Sequence, residues 1–122
     1  MPEVTVRYVN STLTSHTAKM LAAALQTIVA EALNVPGDEH GEITKNDIVV
    51  RFVAHNPFDI GVMNFEIDIV TVDIPARRKN LQERTEAIAN KVRALTKDKD
   101  DGPTGTHGYV WIILTQSGFK TF

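Results

Sequence analysis

The chain contains no cysteine. That excludes a disulfide framework, a thiolate metal site and a cysteine nucleophile. Its four histidines, His16, His40, His55 and His107, show no metal-ligand spacing, so no metal centre is expected. No apolar run approaches the ~20 residues of a membrane span. The start carries no basic segment followed by an apolar one, so the expectation is a cytoplasmic protein without a signal peptide. Positive charge is not in excess either: 13 Lys and Arg stand against 15 Asp and Glu, for a net charge of −2. Both signs are interspersed, which argues against a nucleic-acid groove or a membrane surface. What remains is an ordinary globular composition. The 122 residues are 43% hydrophobic, enough for one domain with a real core.

The most informative feature is the second residue. Pro2 is followed at once by an apolar–polar alternation, Val4-Thr5-Val6-Arg7-Tyr8-Val9. Initiator methionine is commonly trimmed before a small residue, and proline counts as small. The product would begin with a secondary amine. An α-amino group titrates near pH ~8, and partial burial lowers that value by disfavouring the charged form. A general base works best when its pKa lies near the operating pH. A strand that starts directly after Pro2 would hold this nitrogen rigidly.

Val4 to Val9 is the first expected strand. Thr14 and Ser15 can cap a helix running to about Leu33, with Leu21, Leu25, Ile28 and Ala32 on one stripe. Ile48–Ala54 and Asn64–Ile74 are the next strands. Pro75 opens a helix expected over Ala76–Thr96, with Leu81, Ile88, Val92 and Leu95 as its stripe. Tyr109–Thr115 is the last strand. The order is β-α-β-β-α-β, an α+β fold in a single domain over 1–122. A shift of about sixty residues superposes Leu21 on Leu81 and Ile28 on Ile88. Duplicated halves of about 1–61 and 62–122 are therefore expected, sharing one four-stranded sheet with two helices on one face. Strands such as Ile48–Val53 are apolar on both sides. Two helices cannot cover both faces, so other copies of the chain are expected to do so.

Pro2 heading the first strand, the helix a dozen residues later and the duplicated layout together resemble the tautomerase superfamily. That family is built on an amino-terminal proline and includes 4-oxalocrotonate tautomerase, 5-carboxymethyl-2-hydroxymuconate isomerase, malonate semialdehyde decarboxylase, the 3-chloroacrylic acid dehalogenases and macrophage migration inhibitory factor. The resemblance spans essentially the whole chain. Leu13-Thr14-Ser15-His16-Thr17-Ala18-Lys19 resembles the first-helix start of the cis-3-chloroacrylic acid dehalogenase group. Phe58-Asp59-Ile60-Gly61 resembles a Phe-Gly-Ile-Gly segment of 4-oxalocrotonate tautomerase whose Phe lines the active site. The resemblance implies a homotrimer, a keto–enol tautomerase or isomerase acting on a small carboxylate substrate, and no cofactor. Departures from the family pattern are plain. Thr12 stands where the tautomerase has an arginine, Val49 stands where it has a second, and about Ala30 replaces the dehalogenases' histidine.

The candidate site follows from these readings. Pro2 is the base or acid. Arg77 and Arg78 follow Pro75 at a helix start, where a cation opposes the helix dipole unless an anion joins it, and a guanidinium fork suits a carboxylate. Arg77 is the first choice for that role. Arg51 shares a strand face with Val49 and is the substitute for the missing second arginine; a structural or intersubunit salt bridge is its alternative. Asn46-Asp47 resembles the Asn-Asp of malonate semialdehyde decarboxylase, which makes Asp47 the candidate for activating water in a hydrolytic reaction. Phe58 and Trp111 are the candidate pocket walls, with a core or interface aromatic as the alternative for Trp111. A binding protein that keeps the fold without chemistry is the third possibility.

Overall fold

The computed structural model describes residues 2–9, 15–97 and 107–116. Its elements are strand β1 (Glu3–Tyr8), helix α1 (Ser15–Leu33), strands β2 (Val49–Ala54) and β3 (Phe65–Val72), helices α2 (Pro75–Lys79) and α3 (Leu81–Lys97), and strand β4 (Gly108–Thr115). The four strands form one sheet in the order β2-β1-β3-β4. The pairs β1–β2 and β3–β4 are parallel, while the central β1–β3 pair is antiparallel. Each parallel pair is joined by a helix, which is the connection that parallel strands require.

Alternation decides which side chains enter the core. Val4 and Val6 of β1, Ile67 and Ile69 of β3, and Ile112 of β4 are buried, with Val50 and Phe52 packed beside them. They meet Leu21, Leu25, Ile28 and Val29 of α1 and Ile88 and Val92 of α3. Burying each such side chain stabilises the fold by about 1.5–3 kcal/mol before chain entropy is counted. The alternate residues, including Thr5, Arg51, Val53, Val70 and Trp111, lie on the other face. Both long helices pack on the core side, so among the described residues no helix covers this outer face.

The second expected helix is in fact two. Asn80 leaves helical geometry at φ −128° and ψ 37°. Its carbonyl accepts the Arg84 N–H at 3.1 Å, so it starts α3 where α2 ends. The break frees α2 to turn Arg77 towards the core. Leu95, expected on the buried stripe, is exposed near the end of α3. Among the described residues no helix is long and apolar enough to cross a membrane.

Candidate functional site

Pro2 extends β1 by one residue towards its start. Its carbonyl accepts the Val49 N–H at 3.2 Å. One step before the pairs Glu3↔Val49 and Glu3↔Val70, Pro2 falls beside Ile48 and opposite Thr71. It shares the core face with Val4 and Val6 and is less than 2% exposed. The ring is therefore fixed by a central strand and surrounded by protein. Met1, on whose removal a free amine depends, lies outside the described residues.

The parallel β1–β2 pair brings the starts of both strands to this end of the sheet, and antiparallel β3 brings its own end, followed directly by α2. Pro2, Asp47 and the Arg77–Arg78 pair therefore gather at one end of the molecule. Their local geometry separates their roles.

Arg77 is 1% exposed. Its Nε donates to the Leu33 carbonyl at 2.9 Å, and its Nη1 to Thr71 Oγ1 at 3.0 Å and to the Val72 carbonyl at 3.2 Å. Nη2 donates to the Gly41 carbonyl at 3.4 Å. Burial pushes the guanidinium pKa down, Arg84 pushes it the same way, and Asp38 opposes them. Arg84 lies nearby, donating from Nη1 to the carbonyls of Ala32 at 2.7 Å and Asn34 at 3.3 Å. The last turn of α1 carries no basic residue of its own. A helix ends in unpaired carbonyls and partial negative charge, and here two arginines from the other half of the chain supply the donors and the positive charge. The guanidinium first expected to bind a carboxylate is instead directed at internal oxygens.

Arg78, one residue on, points outward and pairs with Asp73 at 3.0 Å. Asp47 closes a capping box around the 3₁₀ turn Lys45–Asp47: its Oδ2 accepts the Thr44 N–H at 2.8 Å. Arg51 lies on the outer face, exposed, 3.2 Å from Glu3 Oε1. Trp111 is on that same face, in register with Asp68 and 60% exposed. Phe58 follows the far end of β2 and is 89% exposed. A six-residue strand spans about 20 Å, so Phe58 and Pro2 of one chain are at opposite ends of the sheet.

Sequence reasoning passed over Arg84 and Thr71. Arg84 sat unremarked on a polar helix face, and nothing local in the sequence points it at α1. Thr71 is buried within β3 as the acceptor for Arg77. On the outer face Arg7 pairs with Asp68, and Tyr109 stands next to both. Burial, then the charges of Asp68 and Glu66, raise the Tyr109 phenol above its ordinary pKa, with Arg7 opposing. Among the described residues no group of three or more His, Asp or Glu is placed to hold a metal ion.

No family model matches this sequence, and no curated protein matches it. Solved structures do. A macrophage migration inhibitory factor-like protein from Entamoeba histolytica is 15% identical with a TM-score of 0.62, covering 98% of this chain and 95% of that one. A fused 4-OT solved as an asymmetric trimer is 11% identical at 0.59, covering 93% and 85%. A member of the cis-3-chloroacrylic acid dehalogenase family is 15% identical at 0.55, covering 92% and 75%. Identities this low establish the fold alone, which this chain has in common with these three proteins.

Proposed function

We propose that the chain is a cofactor-independent keto–enol tautomerase acting on small 2-oxo or enol carboxylic acids, with Pro2 as general base and acid. The observation that carries this reading is Pro2 itself, locked at the head of a central strand and enclosed by protein. With Met1 removed, the ring nitrogen would be an amine in surroundings that disfavour its charged form, which leaves it able to accept a proton at neutral pH. It would move a proton between the enol oxygen and the carbon beside the carbonyl, taking it from one and delivering it to the other in either direction.

The carboxylate needs a cation with free access. Arg77 donates to four internal oxygens, so the role passes to Arg78 on the same turn. Its guanidinium is largely exposed beside its ion-pair partner Asp73, and a substrate carboxylate can replace that pairing. The active form would be a homotrimer. The uncovered outer face supports it, and it would let Phe58 of one copy reach the Pro2 end of another.

The test begins with intact mass, to establish loss of Met1. Ketonisation of phenylenolpyruvate is then followed in the ultraviolet. Pro2→Ala is expected to lower the rate about 100-fold, the ordinary contribution of a positioned base, with a residue of activity from the new primary amine. Arg78→Ala is expected to lower kcat/KM about ten- to a hundredfold, the equivalent of a charge-assisted hydrogen bond of ~1.5–3 kcal/mol. An unchanged rate in Pro2→Ala with Met1 absent excludes the proline as base.

A further inference from the structure

The loop between β2 and β3 exposes its apolar side chains, while His55 at its start is tucked in. Phe58 is 89% and Ile60 96% exposed, and Met63 is exposed beside them. The hub of the inward side is His55, whose side chain is 7% exposed. Its backbone N–H donates to the Tyr8 carbonyl at 2.8 Å, which fixes it to β1. Nδ1 lies 3.8 Å from Asp59 Oδ2 within the loop, and Nε2 lies 3.5 Å from Glu66 Oε1 on β3. Each carboxylate also grips the loop backbone. Asp59 Oδ2 accepts the Asn56 N–H at 2.9 Å, and Glu66 Oε2 accepts the Met63 N–H at 3.4 Å. Asn56 Oδ1 accepts the Phe58 N–H at 2.9 Å, and the Asp59 N–H returns to the Asn56 carbonyl at 3.0 Å.

The chemistry of this arrangement depends on protonation. A neutral imidazole carries one N–H and can serve one carboxylate, whereas an imidazolium carries two and can serve both. Here each ring nitrogen faces a carboxylate at ion-pair distance, and the buried Nε2 makes no hydrogen bond. We propose that His55 is a pH-operated clasp. In its doubly protonated form it ties Asp59 of the loop to Glu66 of β3 and holds the Phe58–Ile60 tip in one orientation. In its neutral form one of the two ties is lost.

The other charged groups around it set the comparison. Arg7 on β1 and Tyr109 on β4 stand in register with Glu66, and Arg7 also pairs with Asp68. His107 reaches this end of β3 through its backbone, donating to Asn64 Oδ1 at 3.0 Å. The clasp needs His55 protonated and both carboxylates ionised. Loop order should therefore be higher in mildly acidic solution, where an imidazole takes up its second proton while carboxylates stay ionised, than in alkaline solution, and fade again in strong acid.

The full chain is followed by amide hydrogen exchange, with protection factors corrected for the intrinsic pH dependence. The amides of Phe58, Asp59 and Met63 report the loop. Their protection is expected to rise about two- to fivefold between pH 8 and 5.5, the scale of a partly exposed ion pair. His107→Gln should keep that rise. His55→Gln should abolish it. Asp59→Asn preserves the acceptor for the Asn56 N–H and sits at the exposed side of the loop, so it keeps the fold even where His55→Gln does not; it too should flatten the rise. Protection that is constant over this range, or a rise that persists in His55→Gln or Asp59→Asn, overturns the clasp.

Discussion

At the scale of single residues, one arginine shows how burial assigns a role that sequence position cannot. Arg77 and Arg78 are neighbours of the same type at the same helix start, yet one is buried and the other exposed. Helical geometry separates adjacent side chains by about 100°, so only one of the two can face α1. Arg77 takes the inward place and donates to the carbonyls of Leu33, Val72 and Gly41 and to the Thr71 hydroxyl. Its removal strands those acceptors in the interior. Arg77→Met, which matches the stem but has no donors, is expected to lose at least ~3 kcal/mol of unfolding free energy, because several buried acceptors go unpaired together. Arg77→Lys should fall between, since three donors on a point charge cannot reproduce the planar fork. Urea unfolding measures both. A mid-point for Arg77→Met equal to the parent, with unchanged m-value, would show that water replaces the guanidinium and that the residue is free for another task.

Among the elements, those with strong local periodicity were legible and those created by long-range contact were not. The alternation Val4-Thr5-Val6-Arg7 and the stripe Leu21, Leu25, Ile28 each encode one buried face, and β1 and α1 appear where those patterns lie. The break at Asn80 has no such signal, because the periodic positions Leu81, Ile88 and Val92 continue a helix pattern on one side of it only. The end of α1 is equally silent: its carbonyls are satisfied by Arg77 and Arg84, distant in the chain, and the backbone returns to the segment after it at Gly41. That glycine is needed for space. A Cβ placed there would meet Val35 Cβ at 2.8 Å and Ile74 Cδ1 at 3.0 Å, while its carbonyl takes both the Val35 N–H at 2.8 Å and Arg77 Nη2. Gly41→Ala must push the return away from α1 and loosen the Arg77 clamp with it. The expected loss is about 1–3 kcal/mol, the ordinary cost of overpacking. Combined with Arg77→Met, the loss should be smaller than the sum, since both act on one network. Strict additivity in that double-mutant cycle would separate the glycine from the clamp.

For the whole molecule, the sequence showed the sheet and its one-sided helices, whereas the proposed sharing of a site between copies leaves no local pattern in it. Pro2 could be named as the candidate base because that proposal rests on chemistry local to the terminus. Phe58 and Trp111 were named as pocket walls, yet within one chain the first lies beyond the opposite end of the sheet and the second on the opposite face from the proline ring. The outer face explains how such residues could still serve. It carries Val49, Val53, Val70, Trp111 and Ile113 on a surface that no described helix covers, and Val53, Val70 and Trp111 are exposed. Apolar side chains of this kind, spread over three of the four strands, suit an interface. Glu3, Arg7, Arg51 and Asp68 are interleaved with it, and two ion pairs, Arg51–Glu3 and Arg7–Asp68, leave little net charge to oppose association. A trimer in solution is the expected outcome, with a light-scattering mass three times 13.5 kDa. Trp111→Glu places a charge on the face proposed for the contact, where desolvating it is unfavourable, and should shift the mass towards 13.5 kDa while far-ultraviolet circular dichroism keeps the fold. Because Phe58 would then no longer meet a neighbouring proline, phenylenolpyruvate ketonisation should fall with the trimer. A Trp111→Glu protein that is monomeric and fully active would leave Pro2 as a complete site within one chain, and a parent protein that is itself monomeric would remove the interface from the account altogether.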